Sequence, residues 1–397
     1  MDRRVYWIWL QRRLPLGSIV INRLFEHFEN IDEIYEADES ALLSVDLRRP
    51  TRQALLDKSL EEAERILTAM QKLGGWILTP EDARYPDLLR QIVGFPAVLY
   101  GQGNFPDLNI LPAIAVVGQR RATRNGVNNT KALAAGLAAA GMVVVSGGAV
   151  GIDAAAHEGA LIAGGKTVLV KAAPPDVSYP PENEPLRRRI LQQGGAIVTE
   201  YPPGCKFYCD YHVRNRLMSG MALGVCVTEA PFRSGSLITA NLARDQGREV
   251  FAMPGSVRDH HYEGTHQQIR KGATLVTSAK DLLEDYTARY PGLLDESAAE
   301  TAEKQVVDSI EKTAPLSLKP QPVRLSVADD TADNSAVADA SESAKRVYAH
   351  LTKDPLPIDR LAKLTEMTIP ETLVLLTELE LLGCVGSTAG QQYFRIS

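Results

Sequence analysis

The spacing of apolar residues changes character along the chain. Over residues 1–75, stretches such as LGSIVINRLFEHFENIDEIYEADESALLSV repeat apolar positions every three or four residues, which predicts several short helices. Leu55 to Leu73 continues as one longer amphipathic helix, and Gly17 falls in a turn. From Trp76 the period shortens. Tyr85-Pro86 and Phe95–Tyr100 read as an edge element leading into a sheet. Short β-branched runs follow at Ala113–Val117, Met142–Val145, Thr167–Lys171, Ala196–Glu200, Val225–Glu229, Glu249–Met253 and Thr274–Thr277, with helical stretches between them. Apolar strands alternating with helices predict an open, doubly wound α/β sheet over 76–287. Residues 288–342, with Pro315, Pro320, Pro322 and many Ser, Ala and Asp, read as a flexible linker. Over 343–397, Ile358–Leu364, Pro370–Leu382 and Gly383–Phe394 predict a helix-turn-helix followed by a β-wing, a winged-helix domain.

Composition narrows the partner class. The 397 residues suffice for two or three domains, and 45% hydrophobic with 23% charged residues is ordinary for a soluble globular protein. A net charge of −6 gives no general attraction to nucleic acid or membrane, so any anion site is a local patch. Four cysteines do not make a disulfide framework. The N-terminus, MDRRVYWIWLQRR, has too short an apolar run for a signal peptide, and no stretch approaches a membrane span. A cytoplasmic setting without a membrane partner is expected.

One local patch stands out. Ala113–Val117 ends at Gly118, and a polar loop follows with Arg120, Arg121, Thr123 and Arg124. Met142–Val145 ends in Ser146-Gly147-Gly148, and a helix starts near Gly151-Ile152-Asp153. Two strand–glycine–helix corners thus follow each other. Between Leu111 and Ile152 lie Arg120, Arg121, Arg124 and Lys131, with no Asp or Glu. Ligands in such sheets sit outside the carboxyl ends of the strands, where small residues allow close approach and helix N-termini offer N–H groups to anions. Two later corners add to the patch. Tyr211, Arg214, Asn215 and Arg216 bring an aromatic ring, an amide and two guanidiniums, a set suited to a nucleic-acid backbone with stacked bases. Ser234-Gly235-Ser236, with Thr239 one turn on, offers hydroxyls and N–H groups at a helix start. All four corners are expected on one rim.

Other chemistries fit poorly. The loop GQRRATRNG lacks the dinucleotide glycine fingerprint, and the second strand ends in Ser146-Gly147 rather than an acid, so no nicotinamide cofactor is expected. Gly164-Gly165-Lys166-Thr167 resembles the end of a phosphate-binding loop, but Ala160 stands at its first glycine and a strand follows. Cys205, Cys209 and His212 have zinc-like spacing without an evident fourth ligand, so no metal is expected. His157, on a helix among small residues, reads as a buried hydrogen-bonding residue without a paired nucleophile.

The run VVSGGAVGIDAAAHEGAL, Arg214-Asn215-Arg216, SGSLITA at 234–240 and GREVFAMPG at 247–255 resemble the DNA-processing protein A (DprA/Smf) family. The resemblance covers about 80–286, roughly half of the chain, in the family's motif order. It implies a Rossmann-like core flanked by a small N-terminal helical (SAM-like) domain and a C-terminal winged helix. Gly118, Arg120 and Thr123 match the family's Val-Gly-Ser-Arg-x-x-Ser loop, with Gln119 in place of serine. Ser146, Gly147, Gly148, Gly151, Asp153, Arg214, Asn215 and Arg216 match intact. Tyr211-His212 replaces Phe-Pro, Pro174 stands at a family glycine, and Gly264-Thr265-His266 replaces Gly-x-Asn.

The implied function is that of a single-stranded DNA-binding protein of natural transformation, which protects incoming strands and loads the RecA recombinase on them. No catalytic activity or cofactor is implied, and a homodimer is, with Thr274–Leu283 as the candidate surface. Two alternatives stay open. A nucleotide-processing enzyme of the lysine-decarboxylase-like Rossmann group would need a Pro-Gly-Gly-x-Gly-Thr loop, which is absent. A transcriptional regulator would need a basic recognition helix. Here that helix carries Glu371, Glu378 and Glu380 and no Lys or Arg, and 341–397 has six basic against seven acidic residues, a net of −1. A protein-contact role is favoured for it, and a chain cut near residue 290 is expected to keep most of its single-strand affinity. The N-terminal helices, of mixed charge, read as a docking or packing module.

Overall fold

A computed structural model describes residues 2–206, 211–313, 340–352, 355–365, 367–381, 384–388 and 392–395. The chain divides into two units, Met1–Leu316 and Ser317–Ser397.

The first unit opens with α1 (Arg4–Arg13), α2 (Val20–His27), α3 (Ile31–Glu36), α4 (Glu39–Leu43), α5 (Arg49–Leu56) and α6 (Glu61–Lys72). Trp7, Trp9, Leu24, Ile34 and Leu55 form their common core. The single helix expected over Leu55–Leu73 is instead α5 and α6 with a break between them. The break has a local cause. Asp57 turns its carboxylate to the Ser59 N–H, 3.0 Å, while its carbonyl accepts from Trp9 Nε1, 2.7 Å, and so is withdrawn from a helical ladder.

The sheet follows: β1 (Trp76–Leu78), α7 (Asp87–Arg90), β2 (Leu99–Gly103), β3 (Ala113–Gly118), α8 (Arg124–Ala139), β4 (Val143–Ser146), α9 (Ile152–Ile162), β5 (Thr167–Val170), α10 (Glu184–Gln192), β6 (Ala196–Thr199), α11 (Tyr211–Met221), β7 (Gly224–Glu229), α12 (Ser236–Asp245), β8 (Glu249–Ala252), α13 (Glu263–Arg270), β9 (Thr274–Leu275) and α14 (Ala279–Leu283). The strand order is β1-β2-β6-β5-β4-β3-β7-β8-β9. β2 runs antiparallel to β1 and β6, and the remaining neighbours are parallel. This is the expected Rossmann-like doubly wound sheet. Alternate residues serve opposite faces. Ala113, Ala115 and Val117 of β3 pack towards α11 and α12, while Ile114 and Val116 pack towards α8 and α9. The winding reverses at β3, whose neighbours β4 and β7 follow it in opposite directions across the sheet, so a crevice is expected at the carboxyl ends of β3 and β7. The helical bundle shares its core with Ile77, Val98 and Tyr100 of the β1–β2 edge.

Two further expectations need correction. β9 stops at Leu275 rather than Thr277, because the Thr277 and Ser278 N–H groups turn to Asp281 Oδ2 and start α14. Part of the expected linker is a helix, α15 (Glu296–Thr313), packed along α8. Its seam is narrow. Ala299 and Val306 are buried, Val306 against Ala132 and Ala135 of α8. A side chain at Gly136 would collide with Glu303, so small residues on α8 set the approach. This weak apolar signal is why composition read as linker. Residues 314–339 lie outside the described residues.

The second unit holds α16 (Glu342–Ala349), β10 (Leu356–Pro357), α17 (Ile358–Thr365), α18 (Ile369–Leu381), β11 (Val385–Thr388) and β12 (Gln392–Arg395), with sheet order β10-β12-β11. This is the expected winged helix, with α16 as an added helix. Among the described residues no helix is long and apolar enough to cross a membrane.

Candidate nucleic-acid interface

The corners after β3, β4 and β7 and the start of α11 meet at the β3–β7 crevice, around a cleft of about 560 Å3. Gly118, Arg120, Asp153, Tyr211, Arg214, Asn215, Ser234, Gly235, Ser236 and Thr239 line it.

The β3 corner is held from below. The Gln119 N–H donates to the Glu229 carbonyl, 2.9 Å, and Gln119 Nε2 to the Glu229 carboxylate, 2.5 Å. The same carboxylate accepts from the Thr123 N–H, 2.8 Å, and from the Thr123 hydroxyl. Thr123 Oγ1 in turn caps α8 by accepting from the Gly126 N–H, 2.9 Å. Thr123 is therefore a cap and a loop anchor, not a wall of the cleft. Glu229 is fully buried, and an acid ending an otherwise apolar strand was the sequence signal for this role. Gly151, with φ +84, passes against the Gln119 and Arg120 carbonyls and laces the second corner to the first.

The second corner is mostly framework. The Ser146 hydroxyl is buried and donates to the Val116 carbonyl, 2.7 Å. Gly148 has φ +69, and its carbonyl accepts from Asn183 Nδ2, 2.9 Å. Gly147 leaves the space that the Arg214 guanidinium fills, and it lines a small side cavity with Tyr179 and Tyr211. Arg214, 5% exposed, donates to the Val170 carbonyl, 2.9 Å, and lies 4.0 Å from Asp153. Burial raises the pKa of Asp153 and Arg214 pulls it back down. Arg214 and Asp153 thus stand as a buried pair of opposite charge in the cleft wall.

Arg120 is exposed, and its guanidinium carbon lies 4.3 Å from the centre of the Tyr211 ring. The Tyr211 hydroxyl is 3.1 Å from that of Tyr179. Arg121 and Arg124 are exposed beside the same loop, whereas Lys131 is committed to Glu158 on α9, 2.5 Å. Ser234, Gly235 and Ser236 bring the α12 N-terminus to the cleft. Lys171, near the rim after β5, is buried, with its Nζ donating to the Pro174 carbonyl, 2.6 Å. Burial pushes its pKa down to about 8.

Arg216 does not belong to this group. It is 7% exposed and pairs with the buried Glu200 carboxylate, 2.5 Å, beneath the helical domain, where Gln11 Nε2 donates to the Glu200 carbonyl, 3.0 Å. Arg214 and Arg216 stand two apart on a helix, so they face different sides, and sequence adjacency could not put both on the cleft. Of the zinc candidates, Cys205 is a half-buried thiol with its pKa raised by burial, His212 is exposed, and Cys209 lies outside the described residues.

A family profile described as DNA recombination-mediator protein A matches residues 76–287, and one described as the DprA winged helix domain matches 331–391. The chain is 30% identical to Protein Smf of Synechocystis sp. over 419 residues, covering 99% of each chain. It is 36% identical over 285 residues to the DNA processing protein DprA of Streptococcus pneumoniae, covering 71% of this chain and 98% of that one. The X-ray structure of the Streptococcus pneumoniae DprA aligns with a TM-score of 0.62 and 34% identity, over 72% of this chain and 99% of that chain. With its Rossmann-like core, its winged helix and matches of this length, the chain belongs to the DNA-processing protein A (DprA/Smf) family.

Proposed function

We propose that this chain processes DNA in natural transformation by binding single strands in the β3–β7 cleft. The observation that carries the reading is the Arg120–Tyr211 pair, a mobile-length cation laid 4.3 Å over an aromatic face at the mouth of the cleft. A cation and a π-face together suit a phosphate and an unpaired base, and duplex DNA withholds its base faces. The DNA-processing role named for the Streptococcus pneumoniae relative accords with it. In this reading Arg120, Arg214, Asn215 and Tyr211 hold the strand, Thr123 and Glu229 hold the loop, and no bond is made or broken. The family resemblance supports protection of incoming strands and loading of RecA on them as the use of this binding.

The same resemblance supports a homodimer. Its expected surface shrinks to the edge of β9, where Leu275 is 48% exposed, because Ala279, Leu282 and Leu283 are buried within the chain. The winged helix fits a protein contact. α18 exposes Ile369, Leu373 and Val374, the last by 68%, where a phosphate-facing helix would carry basic residues. The test of the whole reading is a salt-titrated comparison of single-stranded and duplex DNA of one sequence, with tighter single-strand binding expected.

A further inference from the structure

Between β8 and α13 the chain makes a turn that carries three ligand types in a row, Asp259, His260 and His261. Among the described residues they are the one group of three histidine, cysteine or acidic side chains whose donor atoms all lie within 4.8 Å of one another. None of them lines the β3–β7 cleft, and none belongs to the zinc-like stretch Cys205–His212.

The turn is built without an ion. The Asp259 N–H donates to the Ser256 carbonyl, 3.0 Å, and the Tyr262 N–H to the Asp259 carbonyl, 3.0 Å. Tyr262 is buried with its ring against Gly255, where any side chain would collide with it. The Gly264 N–H donates to the Ala230 carbonyl, 2.8 Å, and ties the turn to the end of β7. Asp259 Oδ1 accepts from the His261 N–H, 3.0 Å, which fixes the carboxylate. The backbone of all three residues is therefore held in advance, and a ligand has little left to order.

The donor atoms converge. Asp259 Oδ1 lies 2.7 Å from His261 Nδ1 and 4.0 Å from His260 Nδ1, and the two ring centroids are 3.9 Å apart. Donors held about 2.0–2.2 Å from one ion stand about 3 Å from each other. The Asp259–His261 edge is already close to that length. His260, whose side chain is 71% exposed, completes the set by swinging its ring in by about 1 Å. Two imidazoles and one carboxylate suit zinc, cobalt or nickel, whereas magnesium and calcium prefer oxygen alone. The charges of Arg258 and Glu263 on either side cancel, so neutral histidines leave one negative charge to meet a dication.

We infer that Asp259, His260 and His261 form a divalent transition-metal site that clips the turn between β8 and α13. The carboxylate and both Nδ1 atoms face the ion, and His261 carries its proton on Nε2 once the ion is bound. Three protein ligands leave at least one position to water, as in an open zinc site.

The test uses the full-length protein stripped of metal by a chelator, with Zn2+ followed by calorimetry and Co2+ by its absorption. The tightest site is expected to take one Zn2+ per chain and to ignore Mg2+ at the same concentration. His260→Gln with His261→Gln is expected to lose at least about tenfold in Zn2+ affinity, and exposed His27→Gln to lose nothing. Asp259 stays in place because it also caps the turn. Without metal both variants are expected to melt like the wild type, and Zn2+ to stabilise the wild type more than the double variant. Should the double variant not fold, exposed His260→Gln alone carries the same comparison. No Zn2+ binding by the wild type, or equal affinity in the wild type and the histidine variant, overturns the inference. So does a Co2+ spectrum dominated by thiolate-to-cobalt charge transfer, which would place the ion at cysteines instead.

Discussion

The Arg120 guanidinium lies 4.3 Å over the Tyr211 ring, joining the loop after β3 to the first residue of α11. The two side chains offer a strand different things. Arg120, exposed, contributes charge, and Tyr211, half-buried, contributes a face for stacking.

These contributions separate by salt. Arg120→Ala is expected to weaken binding on all sequences and to reduce the salt slope by about one unit. Tyr211→Ala is expected to lose about 1–3 kcal/mol of binding, the worth of one stacked base, with the slope unchanged. Binding isotherms across a salt series read both. An unchanged slope in folded Arg120→Ala would mean that Arg120 serves only to hold Tyr211.

Arg216 gives the opposite expectation. Its pair with Glu200 is buried, so Arg216→Met alone leaves an uncompensated carboxylate and costs about 3–5 kcal/mol of stability, whereas Arg216→Met with Glu200→Leu comes out near neutral. Denaturant unfolding measures this. The folded double variant is expected to bind single strands like the wild type, and a large loss of affinity would return Arg216 to the interface.

Glu303 sets a pH dependence on the α8–α15 seam. Burial pushes its pKa up to about 7, and its carboxylate accepts from the Ala279 N–H, 2.8 Å. The folded state therefore holds a proton that the unfolded state has released, and stability falls as pH rises from the ordinary glutamate range to about 7. Glu303→Gln keeps the acceptor and removes the charge. It is expected to raise the melting temperature by about 2–4 °C at pH 8, with the gain vanishing near pH 5. A gain that is the same at both pH values contradicts this assignment.

Because α15 packs on α8, a chain cut near 290 would uncover Ala132 and Ala135. A chain ending after Thr313 is the better probe of the winged helix. It is expected to keep most of the single-strand affinity, measured beside its melting temperature. A large loss of affinity at unchanged melting temperature would show that the winged helix meets DNA despite its acidic α18.

The sheet was legible because each buried strand is a short β-branched run ended by glycine or a polar corner, as at Val117-Gly118 and Ser146-Gly147. The cleft was legible because chain order in a doubly wound sheet puts those corners on one rim. What sequence could not separate was the side of a helix. Arg214 and Arg216 look alike in the chain, yet one faces the cleft and the other a buried carboxylate. Thr123 and Ser146 read as ligand groups but bond to Glu229 and to the Val116 carbonyl, partners distant in the chain. α15 was missed because its seam rests on Ala299, Val306 and small residues of α8, too few apolar positions to stand out.

The most direct measurement is the affinity of the full-length protein for one sequence presented as a single strand and as a duplex, titrated with salt. The Arg120–Tyr211 platform predicts tighter single-strand binding across the series, with the preference surviving at high salt because stacking is not screened. Equal or tighter duplex binding would contradict it.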